Sequence, residues 1–153
     1  ILNQQPDDGY FLMLSGGKSP VELYNHMSFS FGYPFPKDVG LVDERWGNYS
    51  QHQSSNELVV KNTGLMGRIR WAKSTFHPVL GVKSTNPRVE AGAYERELLQ
   101  LFEIYQGRVV ALLGMGMDGH IAGILPESEP IESNNFFISY ESGHEYQHRL
   151  TVT

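Results

Sequence analysis

Cysteine is absent from this 153-residue chain, which excludes disulfides and thiolate metal sites and leaves the chain compatible with a reducing compartment. Long apolar runs are missing too: none approaches the roughly 18 residues that a membrane-spanning helix requires. Basic residues are scarce, with 12 Lys and Arg against 17 Asp and Glu for a net charge of −5. Neither nucleic acid nor an anionic membrane is therefore expected as a partner. No signal peptide, internal repeat, low-complexity tract or linker is visible, and a cytoplasmic location is the expectation. What is present fits an ordinary globule: 40% hydrophobic and 19% charged residues, with enough chain for one domain and a real core. The chain opens at Ile1 rather than Met and closes on a strand-like run at 150–153. A single domain over 1–153, truncated at both ends, is expected, and homo-oligomerisation is left open.

Apolar runs bounded by glycine turns alternate with amphipathic segments. Residues 10–14 read as a buried strand that runs into Ser15, Gly16, Gly17, Lys18, Ser19 and Pro20. Ser19 can cap a helix over 21–27 with Pro20 at its first position. Residues 28–37, aromatic and carrying two prolines, read as a loop. Residues 39–42 form a second strand that delivers Asp43, Glu44 and Arg45. After a polar loop, residues 54–56 can cap a helix running toward Leu65, and a further strand is expected within 68–76. Tyr94, Leu98, Leu101, Phe102 and Tyr105 fall at helical spacing with Glu95, Arg96, Glu97 and Glu103 opposite, which predicts a helix over 89–105 ended by Gly107. Residues 109–113 read as a buried parallel strand that stops at a glycine turn, 114–120, and hands an acid and an imidazole to a helix beginning near Ile121. Residues 136–140 and 149–153 are further strands. This alternation predicts an α/β fold, a parallel sheet flanked by helices.

In an open α/β sheet, ligands bind at the carboxyl ends of the strands, where three of these loops would meet. The Ser15–Ser19 loop reads either as a tight turn or as a phosphate cradle, because glycine amides and a helix N-terminus attract anions. Its spacing is too short for a Walker A loop. Asp43, Glu44 and Arg45 read as a solvated strand end, or as a proton shuttle beside an arginine that grips phosphate through two parallel bonds. Asp118 and His120 read as a helix cap with a packed ring, or as a carboxylate that orients an imidazole general base. Convergence of all three on one crevice favours the chemical reading of each. A rival uses Gly114, Gly116 and Gly119 as a G-x-G-x-x-G fingerprint with Glu141 as its later acid. Against it, Asp118 would stand beside the pyrophosphate and Pro126 would interrupt the helix. His144 and His148 have no evident third metal ligand, so no metal is expected there, and His26, His52 and His77 carry no specific signal.

The block from Ser15 to Pro20 with Leu23 and Tyr24, the run Val42-Asp43-Glu44-Arg45 with Ser55 and Asn56, the run Leu113-Gly114-Met115-Gly116-Met117-Asp118-Gly119-His120-Ile121-Ala122, and the closing Arg149-Leu150-Thr151-Val152-Thr153 together resemble the 6-phosphogluconolactonase family in order and spacing. The related glucosamine-6-phosphate deaminases share the D-G-H-I-A core, but usually carry tyrosine where Arg45 stands and glutamate where Leu125 precedes Pro126. The resemblance implies a modified Rossmann-like fold working without nucleotide, metal or other cofactor. It implies hydrolysis of 6-phosphoglucono-1,5-lactone to 6-phosphogluconate in the oxidative pentose phosphate pathway. On that reading Ser15, Gly16, Gly17, Lys18 and Ser19 hold the 6-phosphate with Arg45. His120 is the general base oriented by Asp118, a cationic or amide group steadies the oxyanion, and Asp43, Gly116 and Arg149 complete the substrate site, Arg149 as a second anion contact. The chain departs from the pattern at Gly123, where serine is common, at Glu127, where glycine is usual, and in having no lysine after Lys83. An amino-sugar-phosphate deaminase and a non-catalytic sugar-phosphate binder are the alternatives.

Overall fold

A computed structural model describes residues 9–31, 34–47, 52–143 and 147–153. In chain order the elements are β1 (Phe11–Leu14), α1 (Val21–Phe29), β2 (Asp38–Leu41), β3 (Asp43–Arg45), α2 (Asn56–Asn62), α3 (Leu65–Trp71), β4 (Thr75–Phe76), α4 (Pro87–Tyr105), β5 (Val109–Ala111), a 3-10 turn (Glu129–Glu132), β6 (Phe137–Glu141) and β7 (His148–Val152). The main sheet runs β4-β2-β1-β5, and every pairing in it is parallel. All four β1 residues are buried, as expected of a strand covered on both faces.

The helices supply the crossovers. The α1 helix links β1 to β2, α2 and α3 lead to β4, and α4 returns across the sheet to β5. Helix α4 begins at Pro87 behind an Asn86 cap, whose side chain accepts from the Arg88 amide at 2.9 Å. It buries Ala91, Tyr94, Leu98, Leu101 and Tyr105, alternating steps of three and four that keep one stripe on the sheet. At the opposite, amino edge of the sheet, His77 bridges Asp38 Oδ1 at 2.7 Å and Glu97 Oε1 at 2.6 Å, tying α4 to β2.

The remaining strands depart from the all-parallel expectation. A second sheet runs β3-β7-β6, and both of its pairings are antiparallel. Only residues 142–147 join β6 to β7, fewer than the dozen or so that a parallel crossover needs. Val42 couples the two sheets. Its amide donates to the Leu14 carbonyl at 2.9 Å, and its own carbonyl accepts from the Val152 amide at 3.0 Å. The strand expected at 39–42 is therefore β2, with Val42 as a pivot that swings the chain into β3.

Other differences are local. Residues 68–71 belong to α3, so the strand expected within 68–76 shrinks to Thr75–Phe76. The helix expected to run toward Leu65 divides at Gly64, whose φ of +76° is a left-handed conformation that glycine adopts without steric cost. Pro20, not Ser19, stands at the α1 N-cap, with no side-chain cap bond. The expected helix after His120 is replaced by tight turns, in which Met115 bridges Ile121 and Ile121 bridges Ile124. Between Gly119, Gly123 and Pro126 no stretch is long enough to carry a stable helix. The dinucleotide reading thereby loses the helix on which its pyrophosphate would rest.

Candidate active site

Strand order reverses between β1 and β5: β1 leads to β2 on one side, while β5 lies on the other. The loops that leave the carboxyl ends of these neighbours must diverge, and the crevice between them is where doubly wound sheets bind ligands. A cleft opens there. The first loop contributes Ser15, Gly16, Gly17 and Ser19; the start of the second sheet contributes Asp43 and Arg45; the loop after β5 contributes Gly114, Gly116 and His120. The three segments that the sequence placed at one rim do meet. The cavity holds about 130 Å³.

Ser15 and Gly17 shape the first loop. The Ser15 carbonyl accepts from the buried Tyr24 hydroxyl at 2.7 Å, which pins the turn to α1. Burial pushes the Tyr24 phenol up to about 12, so it stays a donor. Gly17 has φ +81°, a conformation that side chains disfavour. Lys18 is exposed and does not line the cleft, whereas Ser19 reaches its rim.

At the end of β3 the two acids diverge. Glu44 is 1% exposed and turns away from the cleft to cap α2. Its carboxylate accepts from the amides of Arg45 (2.8 Å), Asn56 (2.7 Å) and Glu57 (3.0 Å) and from Ser55 Oγ (2.9 Å). The proton-shuttle reading of the acid pair fails for this residue, because a carboxylate held by four donors at a helix N-terminus has no path to a ligand. Asp43 faces the cleft. Burial pushes its carboxyl above the usual range, while Arg45, the Asn56 side chain, Arg149 and His120 act in the opposite direction. Arg45 donates through Nη1 to the Ser54 carbonyl at 3.1 Å and to Asn56 Oδ1. Arg149 pairs with Arg45 across β3 and β7 and is buried. It stands behind the cleft lining, where two guanidiniums flank one buried carboxylate.

His120 is set by its own loop. Its Nδ1 lies 2.6 Å from Asp118 Oδ1 and its amide 3.3 Å from the same oxygen. This bond holds the Asp118 carboxyl below the ordinary carboxylate range and gives Nδ1 the proton, leaving Nε2 as the acceptor. Gly116 is the seat of the ring: a Cβ there would stand 2.2 Å from His120 Nδ1 and Cε1. The loop is anchored further along at Gly123, whose amide donates to Thr151 Oγ1 at 3.0 Å and whose carbonyl accepts from the Tyr140 hydroxyl. A Cβ at Gly123 would fall 2.8 Å from Thr151 Cβ, so a larger residue there requires Thr151 to shift. Tyr140 carries no signal in the sequence beyond a strand pattern, and Thr151 is marked only by its place in the closing run 149–153. Asn56 could be noticed only through the Ser55-Asn56 pair.

Residues 144–148 spell H-E-x-x-H in full, with Glu145 in the slot of a catalytic acid. That pattern works on a helix, where both imidazoles share a face. His148 instead opens strand β7 opposite Glu141, and His144 and Glu145 lie outside the described residues. Among the described residues no group of three or more His, Asp or Glu is placed to hold a metal ion, and no helix is long and apolar enough to cross a membrane.

Residues 3–153 match the family model described as glucosamine-6-phosphate isomerases/6-phosphogluconolactonase. The chain belongs to this family. A 6-phosphogluconolactonase of Nostoc sp. is 32% identical over 135 residues, 85% of this chain and 55% of that protein. One from Synechocystis sp. is 29% identical over 147 residues, 93% of this chain and 59% of that protein. The crystal structure of 6-phosphogluconolactonase from Thermotoga maritima superposes with a TM-score of 0.78 at 27% identity, covering 96% of this chain and 64% of that one. The chain thus spans between 55% and 64% of the length of these relatives. The mixed α/β fold, with a four-stranded parallel sheet flanked by helices, is the family fold.

Proposed function

We propose that this domain binds a sugar phosphate and hydrolyses 6-phosphoglucono-1,5-lactone, the 6-phosphogluconolactonase reaction of the oxidative pentose phosphate pathway, in the cytoplasm. One observation carries the reading: His120, bonded through Nδ1 to Asp118, lines the same cleft as Ser15, Gly16, Gly17, Ser19 and Arg45. Names of the relatives support the substrate class.

In this mechanism the backbone amides and hydroxyls of Ser15, Gly16, Gly17 and Ser19, at the N-terminus of α1, take the 6-phosphate together with Arg45. Lys18 and Arg149 add long-range positive field rather than contact. Asp118 fixes the imidazole with Nε2 toward the cleft. Nε2 accepts a proton from water as the water oxygen attacks the lactone carbonyl carbon. The tetrahedral oxyanion collapses, the ring C–O bond breaks, and the imidazolium returns its proton to the departing ring oxygen. A carboxylate and one released proton are the net products. The amides of Gly114 and Met115, at the cleft wall, would steady the oxyanion, since that of Gly116 is spent on the His120 carbonyl at 2.8 Å.

The test is proton release from 6-phosphoglucono-1,5-lactone above the spontaneous rate, alongside ammonia release from glucosamine 6-phosphate. Faster lactone hydrolysis supports the reading. Ammonia release would reassign the chain to the deaminase branch, and binding without either reaction would make it a sugar-phosphate sensor.

A further inference from the structure

We infer that Asn56, the first residue of α2, is the positioning residue that sets the distance between the anion-binding turn and Arg45. Asn56 is fully buried, and its side chain and amide are all engaged. Its amide donates to Glu44 Oε1 at 2.7 Å, its Nδ2 donates to the Asp43 carbonyl at 2.8 Å, and its Oδ1 accepts from Arg45 Nη1. The same amide group fills the space over Gly16, where a Cβ would stand 1.6 Å from Oδ1 and 1.9 Å from Cγ. One planar group therefore meets the turn backbone, the β3 backbone and the guanidinium at once.

Only one orientation of the amide works. Oδ1 must face the guanidinium donor and Nδ2 the Asp43 carbonyl, so an amide is required and an apolar side chain of equal size satisfies neither. The Glu44 carboxylate fixes the backbone from which this side chain projects, since it accepts from the amides of both Asn56 and Glu57. Arg45 also donates to the Ser54 carbonyl, so its guanidinium is aligned from two points on the segment leading into α2. None of the contacts of Asn56 reaches His120. Its loss should weaken the grip on an anion and leave the proton-transfer machinery in place.

The lactone part of this inference rests on the function proposed above, whereas the anion part stands without it. The experiment compares wild type with Asn56→Leu, which keeps the branched side-chain shape and removes both polar contacts. Inorganic phosphate is titrated into each, and turnover is measured on 6-phosphoglucono-1,5-lactone and on unphosphorylated glucono-1,5-lactone. The expected result is a rise of about tenfold in phosphate Kd and in KM for the phosphorylated lactone, the size of one hydrogen bond to a charged group. The kcat should stay within about threefold and the unphosphorylated lactone should react as before, a split that uniform unfolding cannot produce. Equal loss on both lactones, or unchanged phosphate affinity, overturns the inference. Should Asn56→Leu not fold, the Asn56 side-chain amide of the wild type is followed by NMR during phosphate addition: movement of its signals supports the role and their constancy refutes it. A wild type that binds phosphate through Asn56 but hydrolyses neither lactone defeats the catalytic reading alone.

Discussion

Replacing Gly116 by alanine isolates the seat of the imidazole from everything else in the fold. The Gly116 backbone is outside the left-handed region, so alanine meets no backbone penalty. The new methyl would stand 2.2 Å from His120 Nδ1 and Cε1 and 2.6 Å from Asp118 Oδ1. Ordinary contact begins at 3.4 Å, so the ring must recede by about 1.2 Å, and the 2.6 Å bond to Asp118 cannot survive the shift. Both side chains have room to swing outward, being 29% and 53% exposed. The strain is therefore relieved by moving the catalytic pair, not by unfolding. A misplacement of this order costs about 100-fold in rate, which is roughly 2.7 kcal/mol of transition-state stabilisation. The assay is kcat/KM on the phosphorylated lactone by proton release, with thermal unfolding and phosphate affinity measured on the same preparation. The prediction is a loss of about two orders of magnitude in turnover, with Tm and phosphate Kd close to wild type. Wild-type turnover in Gly116→Ala would refute the assignment of His120 to the chemistry, and a collapse in Tm would refute the account of where the strain goes.

Three further outcomes follow from the same contacts. Tyr24→Phe leaves the buried Ser15 carbonyl without its 2.7 Å donor; unfolding in urea should show a loss of about 1–3 kcal/mol, with a raised phosphate Kd. Burial pushes the Glu44 carboxyl up to about 7 from 4.5, so the folded state holds this proton more tightly than the unfolded chain does. The associated stability, on the order of 3 kcal/mol, is fully present below the unfolded value and is lost as pH rises through about 7. Glu44→Gln should flatten that part of the stability–pH curve, and a slope that persists in the variant contradicts the assignment. Because the contact with His120 holds the Asp118 carboxyl low, His120→Gln should raise its titration midpoint, followed through the carboxyl carbon by NMR.

The parts of the fold that could be read from the sequence are those governed by local period and punctuation. The buried run ending at Leu14, the stripe from Tyr94 to Tyr105 and the glycine turns at 15–19 and 114–120 each announce themselves within one segment, and the parallel sheet follows from their alternation. Convergence of those turns on one cleft follows in turn from the strand order β4-β2-β1-β5. What escaped depends on partners distant in sequence. That residues 148–152 pair with β3, and residues 137–141 with them, rather than with the main sheet is decided by Val42, whose two backbone bonds reach Leu14 and Val152. The inward turn of Glu44 depends on the α2 amides, and the role of Asn56 depends on Gly16, 40 residues earlier. The helix expected after His120 failed for a local reason, since Gly119, Gly123 and Pro126 leave too few residues to propagate one.

The central claim is that an anion cradle and a proton-accepting imidazole share one cleft while doing separate work. His120→Gln tests it most directly, by single-turnover hydrolysis of 6-phosphoglucono-1,5-lactone and by phosphate titration monitored through phosphorus NMR on the same sample. The account predicts that hydrolysis falls by about 100- to 10,000-fold, the range of a lost general base, while the phosphate Kd is unchanged. Hydrolysis that continues at the wild-type rate, or phosphate affinity that disappears together with it, would contradict the account.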